Sequence, residues 1–214
     1  MRLHDYPSSG NCYKVRLLLA QLGVDYERVN VDIFNGDTLT DEFAALSPTR
    51  TTPVLEIDGG EALRESNAIL AYLAEGTELL PDELIARAQV MRWLFYEQAE
   101  IVPSIASLRM RLSAGALTPD HRAAERMRQA GAACLDVLEQ HLSERDFLAG
   151  EPYTIADIAV YAYVHVAGEA GLELSDYPAV SAWIERVEAT PGHVDDLQPI
   201  PPDTRLGMGR SIYG

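Results

Sequence analysis

Apolar and polar positions change period every few residues along the first eighty. RLHDY reads as a short strand, and YKVRLLLAQLG then carries apolar residues at helical spacing until Gly23 stops it. YERVNVDI alternates as a strand does. After a polar segment, PVLEI and EALRE flank Asp58-Gly59-Gly60, a hairpin signal. SNAILAYLAEG closes this half as a helix, with Ser66 expected at its N-cap and Gly76 at its end. The order is β-α-β, a variable connection, then β-β-α, which predicts a small mixed sheet with helices packed on it.

From Pro81 onward the period is helical throughout. LIARAQVMRWLFYEQAEIVPSIASLRMRL is one long helix that Pro103 is expected to kink. HRAAERMRQAGAACLDVLEQHLSERDFL is a second, and YTIADIAVYAYVHVAGEAG and PAVSAWIERVEAT supply two more. With no strand candidate, this half reads as a helical bundle joined through ELLPDEL. Residues 198–214 read as an irregular tail. The fold class expected is α/β plus all-α, with domains at 1–78 and 85–214.

Composition narrows what such a protein can do. Apolar residues make up 47%, ample for a core. No apolar run approaches the roughly 20 residues of a membrane span, and the N-terminus lacks a signal peptide's apolar stretch, so a cytoplasmic protein is expected. The net charge of −16 opposes nucleic acid and anionic membranes. It also means that any anionic ligand needs local positive potential at its site. Cys12 and Cys134 make neither a disulfide framework nor a CxxC pair, and His4, His121, His141, His165 and His193 are dispersed, each expected at the surface or in a cap. No metal site is expected.

Three stretches carry candidate chemistry. Ser8-Ser9-Gly10-Asn11-Cys12-Tyr13-Lys14 joins the first strand to the first helix, where small polar side chains and free N–H groups stabilise an anion. By itself this is a helix cap, since Ser and Asn are preferred there anyway. Arg50-Thr51-Thr52-Pro53 precedes a strand. A cis Thr52–Pro53 bond would turn the Thr52 backbone toward a ligand strand, although few X–Pro bonds are cis. Glu65-Ser66 opens the last helix of the first half. The plain reading is a solvated charge and a cap. The alternative is a carboxylate and hydroxyl that hold an amino acid's ammonium and carboxylate together.

In this order, within this frame, SSGNCYKVR, TTPVLE and ESNAI resemble the glutathione transferases over essentially the whole chain. The resemblance implies a thioredoxin-like first domain, glutathione as co-substrate, a homodimer and a small electrophilic or disulfide second substrate. It implies that Thr52 and Pro53 meet the cysteinyl backbone of glutathione and that Glu65 and Ser66 hold its γ-glutamyl end. Arg50 and Thr51 fall near the glycyl carboxylate, and Lys14 and Arg16 are further candidates for positive potential, Arg16 with a structural role as its alternative. Thr154-Ile155-Ala156-Asp157 matches the family's buried capping box.

Counting back from LGVDYE places Ser9 where Ser-type members bind the thiol, with Asn11 two residues on, an arrangement similar to bacterial nu-like members except that Gly10 replaces a proline. A free thiol titrates near pH 8.5, and lowering that by about two units needs roughly 2.7 kcal/mol. One hydrogen bond to a charged acceptor contributes about 1.5–3 kcal/mol and a helix N-terminus about 0.3–1. Ser9 with Asn11 therefore suffices. Cys12 holds the buried, resolving position of a CxxC spacing. Trp93, Phe95, Tyr96, Gln98 and Pro103 are candidates for the electrophile pocket, with bundle core as the simpler reading for Trp93 and Phe95. The alternatives are a zeta-like glutathione-dependent isomerase, which SS followed by KVRL suggests, and a non-catalytic interaction module of the same fold.

Overall fold

The computed structural model describes residues 1–201 and Thr204. Four strands form one sheet in the order β2-β1-β3-β4: β1 (Arg2–Asp5), β2 (Glu27–Asn30), β3 (Val54–Glu56) and β4 (Ala62–Arg64). β1 runs parallel to β2, pairing His4 with Val29, and antiparallel to β3, pairing Leu3 with Leu55. β3 and β4 are the two arms of the hairpin that Asp58-Gly59-Gly60 signalled.

Period-2 alternation sends neighbouring residues to opposite faces. Leu3 and Leu55 meet Val15 and Leu19 of α1 (Gly10–Gln21) and Ile69 of α3 (Ser66–Leu73) on one face. Val54 and His4 lie on the other, beside Phe43 of α2 (Asp41–Leu46), a helix capped by the Thr40 hydroxyl. His4 is buried there and its Nε2 lies 2.6 Å from Glu56 Oε1. The surface position expected for it is therefore wrong, because the pleat turns it inward.

The helical half begins with one rod. α4 (Leu84–Tyr96) widens into a π-helical stretch, Glu97–Ala106, and continues as α5 (Ser107–Ser113). Pro103 lies inside the wide stretch, where it lacks the N–H a regular turn needs, and the Ser107 hydroxyl donates to Val102 O at 2.9 Å. The expected kink is thus a local change of helical pitch. Against this rod pack α6 (Arg122–Leu142) and α7 (Ile155–Val164), and α8 (Pro178–Glu188) packs on α6 and α7 in turn. All ten residues of α7 are buried. Its capping box is formed: Asp157 accepts from Thr154 N at 3.0 Å, and it also receives Leu148 N and Trp183 Nε1.

One continuous core joins the two halves, with Tyr13, Leu17, Leu18 and Leu70 packed among side chains of the helical bundle. α1 is therefore enclosed between sheet and bundle and is buried from Cys12 through Leu19. A helix buried all round cannot carry a solvated charge, so its two cations, Lys14 and Arg16, must find partners inside. After α8 the chain returns over the start of α1: Tyr13 OH donates to Val194 O at 2.7 Å, Ser8 Oγ to Pro199 O at 2.8 Å and Gln198 N to Pro7 O at 3.2 Å. Of the expected tail, residues 202–203 and 205–214 lie outside the described residues. No helix among the described residues is long and apolar enough to cross a membrane.

Candidate functional site

The N-terminus of α1 presents two free donors. Ser9 takes a cap residue's extended backbone (φ −82, ψ 119), and its Oγ accepts from Cys12 N at 3.3 Å. That bond uses a lone pair, and the hydroxyl hydrogen, which also lies within reach of the Cys12 sulfur, can turn to a ligand. Asn11 is held the opposite way: its Oδ1 accepts from Lys14 Nζ at 2.9 Å and from Ser66 Oγ at 3.2 Å. Because an ammonium only donates, it fixes which end of the amide is oxygen. Neither N–H of Asn11 Nδ2 has a partner among the described residues. A hydroxyl and an amide, two residues apart at a helix N-terminus, are thus left as donors to an anion.

Lys14 is what holds this arrangement. Its ammonium is fully buried, paired with buried Glu97 Oε1 at 2.7 Å, and it also reaches Ser66 Oγ at 3.2 Å and Asn67 Oδ1 at 3.3 Å. Glu97 Oε2 receives Asn67 Nδ2 at 3.0 Å and Gln98 Nε2 at 2.9 Å. Burial lowers the Lys14 pKa, and the Glu97 carboxylate pulls it back up. The expectation that Lys14 offers free positive potential fails, because its charge is spent within the protein. Arg16 is likewise spent, with Nη1 2.6 Å from Asp5 Oδ1 and Nε 2.9 Å from Asp196 Oδ1, which bears out its structural alternative.

The other expected site residues divide. Thr52–Pro53 is cis, and neither the N–H nor the C=O of Thr52 is bonded among the described residues. Thr52 also faces the Cys12 sulfur. Glu65, not Ser66, caps α3. Its carboxylate is exposed, makes no capping bond, and rides on a backbone at φ 68, ψ 112, a conformation few side chains adopt. Ser66 is the first helical residue, and its hydroxyl is drawn into the Lys14 network. Arg50 and Thr51 are held by local bonds. Arg50 Nη1 donates to Thr38 O at 3.0 Å and Thr40 O at 3.3 Å, while Thr51 N donates to Ser47 Oγ at 3.2 Å.

Cys12 sits directly behind the two donors. It is buried, its sulfur accepts from Tyr6 N at 3.4 Å, and desolvation, with Asp5 nearby, pushes its thiol up to about 11. It is a packed thiol at neutral pH. Gly10 has a steric reason: a Cβ there would lie 2.4 Å from Tyr163 Cε1. Phe95 is 67% exposed and so belongs to no bundle core, whereas Trp93 is buried as core. Gln98 is spent on Glu97.

Sequence reasoning missed Glu97, Asn67, Tyr163 and Arg109. Arg109 of α5 reaches across to donate from Nη1 to Ser8 O at 2.9 Å. One signal for Glu97 was present, since Lys14 is the chain's one lysine and stands in an otherwise apolar run that needs a buried counter-charge. Two grooves, about 370 and 340 Å³, lie between α4 and α6 around Arg92, His141 and Arg145, apart from these residues. Among the described residues no three His, Cys, Asp or Glu side chains gather where they could hold a metal ion.

Residues 3–79 match the family model for the glutathione S-transferase N-terminal domain, and residues 92–191 match that for the C-terminal domain. The disulfide-bond oxidoreductase YfcG of Escherichia coli is 35% identical over 188 residues, covering 85% of this chain and 87% of its own. A glutathione S-transferase structure from Pseudomonas fluorescens superposes with a TM-score of 0.89 at 45% identity, over 92% of this chain and 98% of the other. A second P. fluorescens structure, of a glutathione transferase family member with two glutathione bound, is 31% identical with a TM-score of 0.80, over 94% and 92%.

Proposed function

The chain belongs to the glutathione S-transferase family, and from that premise we propose that it presents the glutathione thiolate to its second substrate from Ser9 and Asn11. The protein is a glutathione-dependent enzyme of the transferase and oxidoreductase kind. In our reading the Ser9 hydroxyl and the Asn11 amide donate to the sulfur at the N-terminus of α1. The backbone N–H and C=O of Thr52, next to Pro53, pair with the cysteinyl unit. Glu65 takes the γ-glutamyl ammonium, and the free N–H groups where Ser66 opens α3 take its carboxylate. Arg50 and Thr51 are nearest the glycyl end.

The observation that supports this reading is the pinned Asn11 amide, whose oxygen is occupied by Lys14 and Ser66 and whose nitrogen has no partner among the described residues, two positions along the helix start from Ser9. Two donors of this kind can supply the roughly 2.7 kcal/mol that lowers a thiol by about two units. The thiol proton leaves to solvent, and the thiolate then attacks one sulfur of a disulfide. A new S–S bond forms, and the other sulfur departs as a thiolate that takes up a proton. With a carbon electrophile, an S–C bond forms as the bond to the leaving group breaks and that group departs with the electron pair. We favour disulfide exchange and a nu-like placement within the family. Asn11 and the likeness to the E. coli disulfide-bond oxidoreductase support both.

We also read 1–78 and 85–214 as two domains of a cytoplasmic homodimer. The exposed Tyr72, Leu84, Ile85, Phe95 and Val137 are natural contacts for a second copy. The test is calorimetric titration with reduced glutathione in two buffers of different ionisation enthalpy. Wild type is expected to bind with proton release, while Ser9→Ala and Asn11→Ala bind with less. Full proton release in both variants would place the thiolate elsewhere.

A further inference from the structure

Four cations are candidates to supply positive potential, and they differ in how much of their charge is cancelled. Lys14 is matched by buried Glu97, Arg16 by Asp5 and Asp196, and Arg50 is turned toward the carbonyls of Thr38 and Thr40. Arg109 is different. Its side chain is almost wholly buried, its Nε donates to Glu169 Oε2 at 2.8 Å, its Nη1 donates to Ser8 O at 2.9 Å, and its Nη2 is buried without a partner. Glu169 is 39% exposed, so water screens the one carboxylate that opposes it.

Three titratable groups that face Arg109, namely Tyr6, Tyr163 and His165, are uncharged at neutral pH. Burial raises Tyr6, at the end of β1, and Tyr163 of α7, lowers His165 beyond the end of α7, and raises Cys12 behind them to about 11. Beyond Glu169, the carboxylates near these same groups are Asp32 by Tyr6, Glu97 by Tyr163 and Asp195 by His165, of which Glu97 is already paired with Lys14. A buried guanidinium with one unspent donor thus backs the peptide that carries Ser9.

We infer that Arg109 is a positioning residue: it fixes the Ser8–Ser9 peptide and supplies the positive potential that holds the bound glutathione sulfur as thiolate. The inference rests on the reading that this sulfur sits at Ser9. It answers the question raised by a chain of net charge −16 that must hold an anion. A purely structural anchor for Ser8 needs a donor but no charge, and this separates the two roles.

The experiment is a pH titration of the bound thiolate's ultraviolet absorbance, with the pH profile of kcat alongside, for wild type, Arg109→Gln, Arg109→Lys and Glu169→Gln. For charges roughly 8 Å apart in general, at an effective dielectric near 20, half-screening leaves a shift on the order of one pH unit in a thiol. Arg109→Gln should raise the bound thiol's pKa by about that much, and Arg109→Lys should keep most of the wild-type value. Glu169→Gln leaves the arginine in place and should lower the pKa by a few tenths. Unchanged pKa values in Arg109→Gln and Glu169→Gln, with a thiolate visible in wild type, would overturn the inference alone. No thiolate in wild type at any pH would overturn the reading it rests on.

Discussion

Replacing Lys14 by methionine removes a charge shared by four groups while keeping most of the side-chain volume. The ammonium donates to Glu97 at 2.7 Å, Asn11 at 2.9 Å, Ser66 at 3.2 Å and Asn67 at 3.3 Å. Lys14 and Glu97 are both fully buried, so Glu97 would be left as a carboxylate with no counter-charge and no water. Removing one partner of a buried pair costs about 3–5 kcal/mol. That is a large part of the roughly 5–15 kcal/mol that holds a domain folded. At about 2–4 °C per kcal/mol for a chain of this size, the melting midpoint should fall by roughly 6–20 °C. Asn11 would also lose one of its two tethers, so kcat should fall by more than KM rises. Guanidinium unfolding of Lys14→Met, Glu97→Leu and the double variant measures the pair directly. The double variant should recover most of the loss, because an apolar pair of similar volume leaves no stranded charge. A loss under 1 kcal/mol for Lys14→Met, or a double variant as unstable as the sum of the singles, would refute this account.

Three further outcomes follow from the geometry. Gly10→Ala sets a methyl 2.4 Å from Tyr163 Cε1 and should cost about 1–3 kcal/mol in denaturant midpoint, partly recovered by Tyr163→Val. Asp157 is pushed up to about 6 by burial from an ordinary 3.8, so its folded-state pKa lies above the unfolded one and the folded state holds the proton more tightly. Its contribution is complete below pH 4 and is lost as pH rises through about 6. The stability difference between wild type and Asp157→Asn, followed by urea unfolding, should therefore shrink by about 3 kcal/mol across that window. A constant difference would show that the carboxyl stays ionised throughout. Glu65→Gly relaxes a backbone at φ 68 and should raise stability by about 1 kcal/mol while weakening glutathione binding. Unfolding and calorimetry on the same sample must move in opposite directions.

What could be read beforehand was local. The hairpin turn at Asp58-Gly59-Gly60, the Ser9 cap and the Thr154–Asp157 box depend on residues three or four apart, and these expectations hold in the structure. The Lys14–Glu97 pair spans 83 residues and the Arg109–Ser8 bond spans 101, so no periodicity could reveal them. Ser66 was expected as a cap because helix starts favour serine. The longer-range pull of Lys14 and Asn11 on its hydroxyl shifts the cap to Glu65. Phe95 stands on an apolar helix whose spacing predicts a buried face, but the bundle packs on other positions and leaves this one exposed.

The return of the chain over its own beginning sets a timetable for synthesis. Arg16 receives its Asp196 carboxylate from 180 positions downstream, and Ser8 donates to a carbonyl 191 positions on. At about 5–20 residues per second, a ribosome needs roughly 9–36 s to travel from one partner to the other. For that interval the sheet and α1 can gather, but Arg16 lacks one of its two carboxylates and Tyr13 lacks the carbonyl its hydroxyl will meet. The loop before Ser9 is therefore braced last, after the rest of the first half has had time to gather.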